Sequence, residues 1–304
     1  MRIIKRLSLF ILLLLVLSSC GSPASTRVKN NSDSFSANKE THGFNVHTNK
    51  QIKKRTFTEQ EFQLLPPEFK RIYDRGTLIV SMYAENRFPY FFIDSKGNLV
   101  GSDVDLAHDI ASKLGVNVVF DRTATTFDDV VNNVAEGKAD VAISKLSITL
   151  DRAMKVYYSE PYLTHHQTLL VNRLQLAALT KNNKDQLNAI LKGKVKIGVK
   201  EGTSYVGFAH ELFPNATIIE FSNQNKNNMM EAAYRGDIFA AFYDENEVMS
   251  YIKDNPEKAI DLQVFTLEDR VDPIAIAVSS KDQHLLAWLN QYLLMYNPQS
   301  KEEE

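Results

Sequence analysis

Cysteine is almost absent from this sequence. The 304-residue chain has one, Cys20, so no disulfide can form within it and its core must hold the fold. No apolar run reaches the roughly 18 residues that a spanning helix needs. An excess of either charge is also missing. The 35 Lys and Arg nearly cancel the 37 Asp and Glu, leaving a formal net charge of -2. Such a balance gives no electrostatic case for nucleic acid as a partner. No nucleophile–base pair and no metal-ligand spacing occurs, so neither a metal nor another cofactor is expected. What remains is ordinary soluble composition, 44% hydrophobic and 24% charged, in a chain long enough for two lobes with proper cores.

The longest apolar run lies at the N-terminus. A basic leader, Met1 to Arg6, precedes Leu7 to Leu17, which is nearly all Leu, Ile, Phe and Val. These are the n- and h-regions of a secretory signal. The run ends in Leu17-Ser18-Ser19-Cys20. Small residues suit a peptidase cleft, and the thiol after them can carry a thioether-linked lipid. Leu-Ser-Ser-Cys resembles the bacterial lipobox, which implies a signal peptide over 1–19 and a mature protein anchored in a membrane through diacylated Cys20. Residues 20–56 are rich in Ser, Asn, Thr and Lys and bury too little to order themselves, which is the composition of a flexible tether. His42 and His47 lie in it.

Beyond the tether the hydrophobic pattern alternates. Glu61 to Leu65 is amphipathic and is followed by Pro66-Pro67; Leu78 to Val80 reads as a strand. Val104, Ala107, Ile110, Ala111 and Leu114 recur at helical spacing and stop at Gly115. Strands are predicted at Val116 to Phe120 and Val141 to Ile143, with a helix from Phe127 to Gly137 between them. The layout repeats after Val171: strands at Val195 to Val199, Thr217 to Phe221 and Ile238 to Phe242, helices at Tyr205 to Phe213 and Met229 to Tyr234. Alternation at this spacing predicts α/β lobes with mainly parallel sheets. Leu262 to Leu267 is extended, Pro273 to Val278 reads as a strand, and His284 to Tyr296 as a helix bearing the lone Trp288; this piece is read as returning to the first lobe. The prediction is therefore two Rossmann-like lobes joined by two hinge crossings: 57–166 with 268–304, and 167–267.

Ligands of open α/β sheets bind beyond the carboxyl ends of strands. There the chain places Ser144, Lys145 and Ser147, then Thr149 as a helix cap and Arg152 as a carboxylate grip. The second lobe offers Gly202-Thr203-Ser204, a glycine turn with hydroxyls opening a helix. Asp244, after Tyr243, suits an ammonium, and Phe127 an apolar wall. Each residue has a plainer reading. Arg152 can pair with Asp151, Thr203 can merely cap, Asp244 can sit in a solvated acidic turn, and Phe127 can be core. Their recurrence at equivalent strand ends favours an α-amino-acid pocket.

The stretches GSDVDLAHDIASKLG, GKADVAISKLSITLDR, YYSEPY, VKIGVKEGTSY and DPIAIAV, in this order, resemble the polar-amino-acid class of periplasmic solute-binding proteins of ABC transporters, from about Arg75 to Tyr292. The resemblance implies a type II two-lobed fold that closes on a ligand without chemistry. It implies that Arg152, with Ser144 and Ser147, binds the ligand carboxylate, joined by Thr203 and Ser204 from the second lobe. Asp244 would then take the α-ammonium, and Phe127 would form the wall. Two departures stand out. Arg87 falls where a covering aromatic is usual, and Lys145 where small residues are common.

The leading expectation is a lipid-anchored, monomeric protein on the periplasmic or outer face of a bacterial membrane. It would capture an amino acid, acidic if Arg87 and Lys145 face the cleft, and deliver it to an ABC permease. One alternative is a sensor module that signals to a membrane partner. Another is a dehydratase-like enzyme on the same scaffold, for which Glu85 and Glu201 are the nearest acid–base candidates and His165-His166 are placed on the crossover strand.

Overall fold

The computed structural model describes residues 54–181, 185–222 and 228–296. The signal, nearly all of the tether and Cys20 therefore lie outside the described residues. The fold opens with α1 (Glu59–Gln63), capped reciprocally by Thr58 and Glu61, and α2 (Pro67–Arg75). The second helix was not foreseen, because Pro66-Pro67 reads as a break. Proline at the first helical position is tolerated, since its missing N–H would have no partner there.

A first five-stranded sheet is built from β1 (Thr77–Tyr83), β4 (Asn117–Ala124), β5 (Val141–Ala142), β6 (Val156–Tyr158) and β12 (Ala277–Ser279), in the order β4-β1-β5-β12-β6. A small hairpin, β2 (Phe92–Ile93) and β3 (Leu99–Val100), stands apart from it. Helices α3 (Ser102–Leu114), α4 (Phe127–Ala135) and α5 (Leu150–Ala153) belong to the same lobe. The predicted glycine stop of α3 is a left-handed cap at Gly115, φ 77°. Buried side chains cover both faces of the sheet. Leu78 and Val80 pack with Ile110 and Leu114, while Met82 and Tyr83 pack with Val130 and Val131 of α4.

A second five-stranded sheet contains β7 (Leu163–Asn172), β8 (Lys196–Lys200), β9 (Thr217–Phe221), β10 (Ala240–Asp244) and β11 (Leu262–Ile274), in the order β11-β7-β10-β8-β9. Helices α6 (Arg173–Leu179), α7 (Gln186–Lys192), α8 (Ser204–Leu212), α9 (Asn228–Arg235) and α10 (Glu245–Asp254) accompany it. Its core holds Leu169, Val199, Phe213 and Phe242, all essentially inaccessible to solvent. After β12, α11 (Gln283–Tyr296) packs Leu285 and Leu289 into the first lobe.

Both sheets are mixed, not mainly parallel. β1 runs parallel to β4 and β5, and β8 to β9 and β10. β12 is antiparallel to β5 and β6, and β7 to β10 and β11. β7 and β11, the antiparallel pair of the second sheet, are the strands that carry the chain between lobes. β7 and β11 pair from Leu163↔Ile274 to Asn172↔Leu262, with a register shift between Leu267 and Val271. The single strand expected over Pro273 to Val278 is divided. Ile274 ends β11 and Ala277 begins β12, yet Ile274 is already buried in the first-lobe core with Leu78 and Val80, so β11 itself spans the crossing.

Candidate functional site

The carboxyl ends of β1, β5, β8 and β10 meet around one narrow void that opens in part to solvent. Of the residues singled out in the sequence, Arg87, Phe127, Lys145, Ser147, Arg152, Thr203, Ser204 and Asp244 line it. Ser144 does not. It is fully buried, and its Oγ accepts the Tyr83 N–H at 3.0 Å, tying β5 to β1.

On the first lobe Thr149 caps α5 by accepting the Arg152 N–H. Arg152 is buried and pairs with Asp128, Nε to Oδ1 3.0 Å, not with Asp151. Its Nη1 donates to the Ser147 carbonyl at 3.4 Å. Phe127 opens α4 and stacks on Tyr83, centroids 4.8 Å apart, a contact of about 0.5–1.5 kcal/mol beyond area burial. The Arg152 guanidinium lies 6.0 Å from the Phe127 ring, and the Arg87 guanidinium 4.8 Å from the Tyr83 ring. A cation therefore stands at each end of the stacked pair. Arg122 steadies the loop carrying Arg87, donating to the carbonyls of Tyr83 at 3.2 Å and Ala84 at 2.5 Å.

On the second lobe, Gly202 precedes α8 with φ +70°, the left-handed turn that glycine adopts without strain. Thr203 does not cap α8 with its side chain; its Oγ1 donates back to the Lys200 carbonyl at 2.7 Å. Ser204 Oγ donates to Ser147 Oγ at 2.9 Å, directly linking the two lobes. Asp244 is 1% exposed, so it lies in no solvated turn. Its Oδ1 caps α10 by accepting the Glu247 N–H at 3.1 Å. Its Oδ2 accepts from Lys145 Nζ at 2.7 Å, a second link between lobes. Burial pushes the Asp244 carboxyl up, but the Lys145 charge outweighs this and holds it below the usual range. Lys145 is shifted the other way, above the ordinary lysine value: Asp244 overcomes the effect of burial.

Several residues reach the site without a signal in the sequence. Asp272 on β11 accepts from Ser147 Oγ at 3.1 Å, and burial pushes its carboxyl up to about 7. Tyr205 and Tyr243 complete the lining. Tyr90 bonds to His165 of the crossover strand at 3.0 Å and accepts from Asn246 at 2.6 Å. Gly101 lets the chain pass close to the Tyr90 backbone, because a Cβ there would sit 2.3 Å from the Tyr90 carbonyl oxygen. Lys200, beside Tyr243, is buried and lowered to about 8 by desolvation and then by Arg87. Of the acid–base candidates, Glu201 is exposed and Glu85 approaches Arg87 at 3.4 Å.

Residues 79–297 match the family model of bacterial extracellular solute-binding proteins, family 3. The "Probable histidine-binding protein" of Neisseria gonorrhoeae is 28% identical over 206 residues, 67% of this chain and 72% of that protein. Among solved structures, an ancestral amino acid-binding protein described as a precursor of cyclohexadienyl dehydratase aligns with TM-score 0.58 and 32% identity. It covers 75% of this chain and 92% of that one. A binding component of an ABC transporter from Wolinella succinogenes, complexed with lysine, aligns with TM-score 0.60 and 26% identity over 73% and 90% of the two chains. The two-lobed α/β fold, the paired crossings and the match over most of the chain agree: this protein belongs to family 3 of the bacterial extracellular solute-binding proteins.

Proposed function

We propose that this protein captures a small carboxylate, an amino acid or a close analogue, between its two lobes and hands it to an ABC permease. The observation that carries this reading is the convergence of Arg152 and Ser147 from one lobe with Thr203 and Ser204 from the other on a single narrow void. A guanidinium and hydroxyls from both sides make a carboxylate shell once the hydroxyls turn from their present partners, Asp272, Ser147 and the Lys200 carbonyl, to the ligand, and it is complete only when the lobes are together. The domain division and the site roles assigned from the sequence belong to this proposal. So does the membrane anchor: export through the leader and lipidation of Cys20 would hold the protein near its permease.

Isothermal titration with a panel of amino acids and small carboxylates tests the binding reading. Saturable heat from at least one is expected, and silence from all of them rejects it. For the anchor, labelled palmitate should enter the wild type and not Cys20→Ser; equal labelling rejects lipidation at that residue.

A further inference from the structure

Lys145 sits where an amino-acid ligand would be expected to place its own ammonium. Its Nζ lies 2.7 Å from Asp244 Oδ2, and both side chains are more than nine-tenths buried. The other Asp244 oxygen caps α10. The carboxylate expected to receive a ligand's α-ammonium is thus already neutralised by the chain.

The lysine is also firmly placed. Among the described residues it is the one non-glycine with a positive φ, 47°, a strained conformation for a residue with a Cβ. Its backbone N–H donates to buried Asp103 Oδ2 at 2.5 Å, and Tyr162 donates to the other oxygen of that carboxylate at 3.0 Å. The rings of Tyr90 and Tyr243 flank the ammonium at 4.9 and 5.6 Å. A long basic side chain free to choose would extend to water. This one is held inside, facing an acid on the opposite lobe.

We infer that the ligand is a small carboxylate with no α-ammonium: a 2-oxo acid, a 2-hydroxy acid or a simple mono- or dicarboxylate. A ligand ammonium at Asp244 would have to share the carboxylate with a second cation in a water-poor cleft, where like charges repel strongly. Lys145 already supplies the bridge between lobes that a zwitterion's ammonium would make. The void is lined by Arg87 and Arg152 as well, so its surplus charge is positive and suits an anion. This rests on the proposed carboxylate-binding function and narrows its ligand.

Calorimetric titration of the protein with matched pairs tests it: glutamate against 2-oxoglutarate, leucine against 4-methyl-2-oxopentanoate, and aspartate against succinate. For the pair that fits, the member lacking the ammonium should bind at least about ten-fold more tightly, and Lys145→Ser should narrow or reverse that preference. Wild-type protein that binds an amino acid as well as its partner overturns the inference and leaves the carboxylate-binding reading standing. Lys145→Ser binding amino acids when the wild type binds neither member of any pair overturns the inference and the carboxylate-binding reading together. No binding by either protein overturns both. If Lys145→Ser shows no cooperative thermal unfolding, the wild-type comparison alone decides.

Discussion

The hydroxyl of Ser204 donates to that of Ser147 at 2.9 Å, and Ser147 donates in turn to Asp272 at 3.1 Å. One chain of hydrogen bonds therefore passes from α8 through the first lobe to the crossover strand β11. A buried hydrogen bond contributes about 1 kcal/mol net, and a partner left unsatisfied costs more. Ser147→Ala and Ser204→Ala should each weaken ligand binding by roughly five- to fifty-fold. Because the two side chains touch, the double variant should lose less than the two losses combined. Full additivity in calorimetry would show that the pair is not coupled.

Arg152 should be the most damaging position in the site. Its guanidinium is buried against Phe127, and Asp128, its carboxylate partner, is largely exposed. Arg152→Ala removes a charged donor from a desolvated carboxylate, a loss of about 2–5 kcal/mol in comparable pairs. Affinity should fall at least about thirty-fold while thermal unfolding stays cooperative. Arg152→Lys should restore little, since an ammonium lacks the planar fork. Near-wild-type affinity in either variant would remove Arg152 from the ligand's shell.

The sequence was most legible where chemistry sits at strand ends. Ser147, Arg152, Thr203, Ser204 and Asp244 follow buried strands, and sheet topology alone brings those ends together. Ser144 shares the polar run of Ser147, but it does not line the void, and its hydroxyl oxygen accepts the Tyr83 N–H. Helix α10 was hidden because Asp-Glu-Asn-Glu looks like a solvated turn until its first acid is seen capping the helix. Asp272 and the Tyr90–His165–Asn246 cluster join segments far apart in the chain, with no local pattern to mark them. Lys145 showed its oddity in the sequence, but its partner only in three dimensions.

Asp103 should make stability fall as pH rises. Burial pushes its carboxyl from the ordinary 3.8 to about 7, despite bonds from the Lys145 N–H and Tyr162. Below pH 4 neither folded nor unfolded chain carries this charge, so the group imposes no penalty. Between about 4 and 7 the unfolded chain ionises while the folded one resists, and above 7 the full penalty is present. Asp272 contributes in the same direction. Denaturant unfolding from pH 4 to 8 should reveal this loss, up to a few kcal/mol at about 1.4 kcal/mol for each pH unit. Asp103→Asn should flatten the slope to the share left by Asp272 and by Asp105, whose carboxyl burial also raises. An unchanged slope in that variant would refute the assignment.

Lys200 should make ligand binding pH-dependent on the alkaline side. Desolvation and then Arg87 lower it from the ordinary 10.5 to about 8. In the free protein the neutral form is favoured, so this group adds stability as pH rises from about 8 to 10.5. A bound anion reverses the preference: its charge returns a proton to Lys200 and raises the value again. Binding above pH 8 should therefore take up protons, and affinity should fall by up to about ten-fold per pH unit until the bound-state value is reached. Calorimetry near pH 8.5 in buffers of different ionisation heat measures the uptake directly. Lys200→Met should abolish it while leaving binding at pH 6 measurable but weaker. Identical apparent heats for the wild type in every buffer would mean that Lys200 does not sense the ligand.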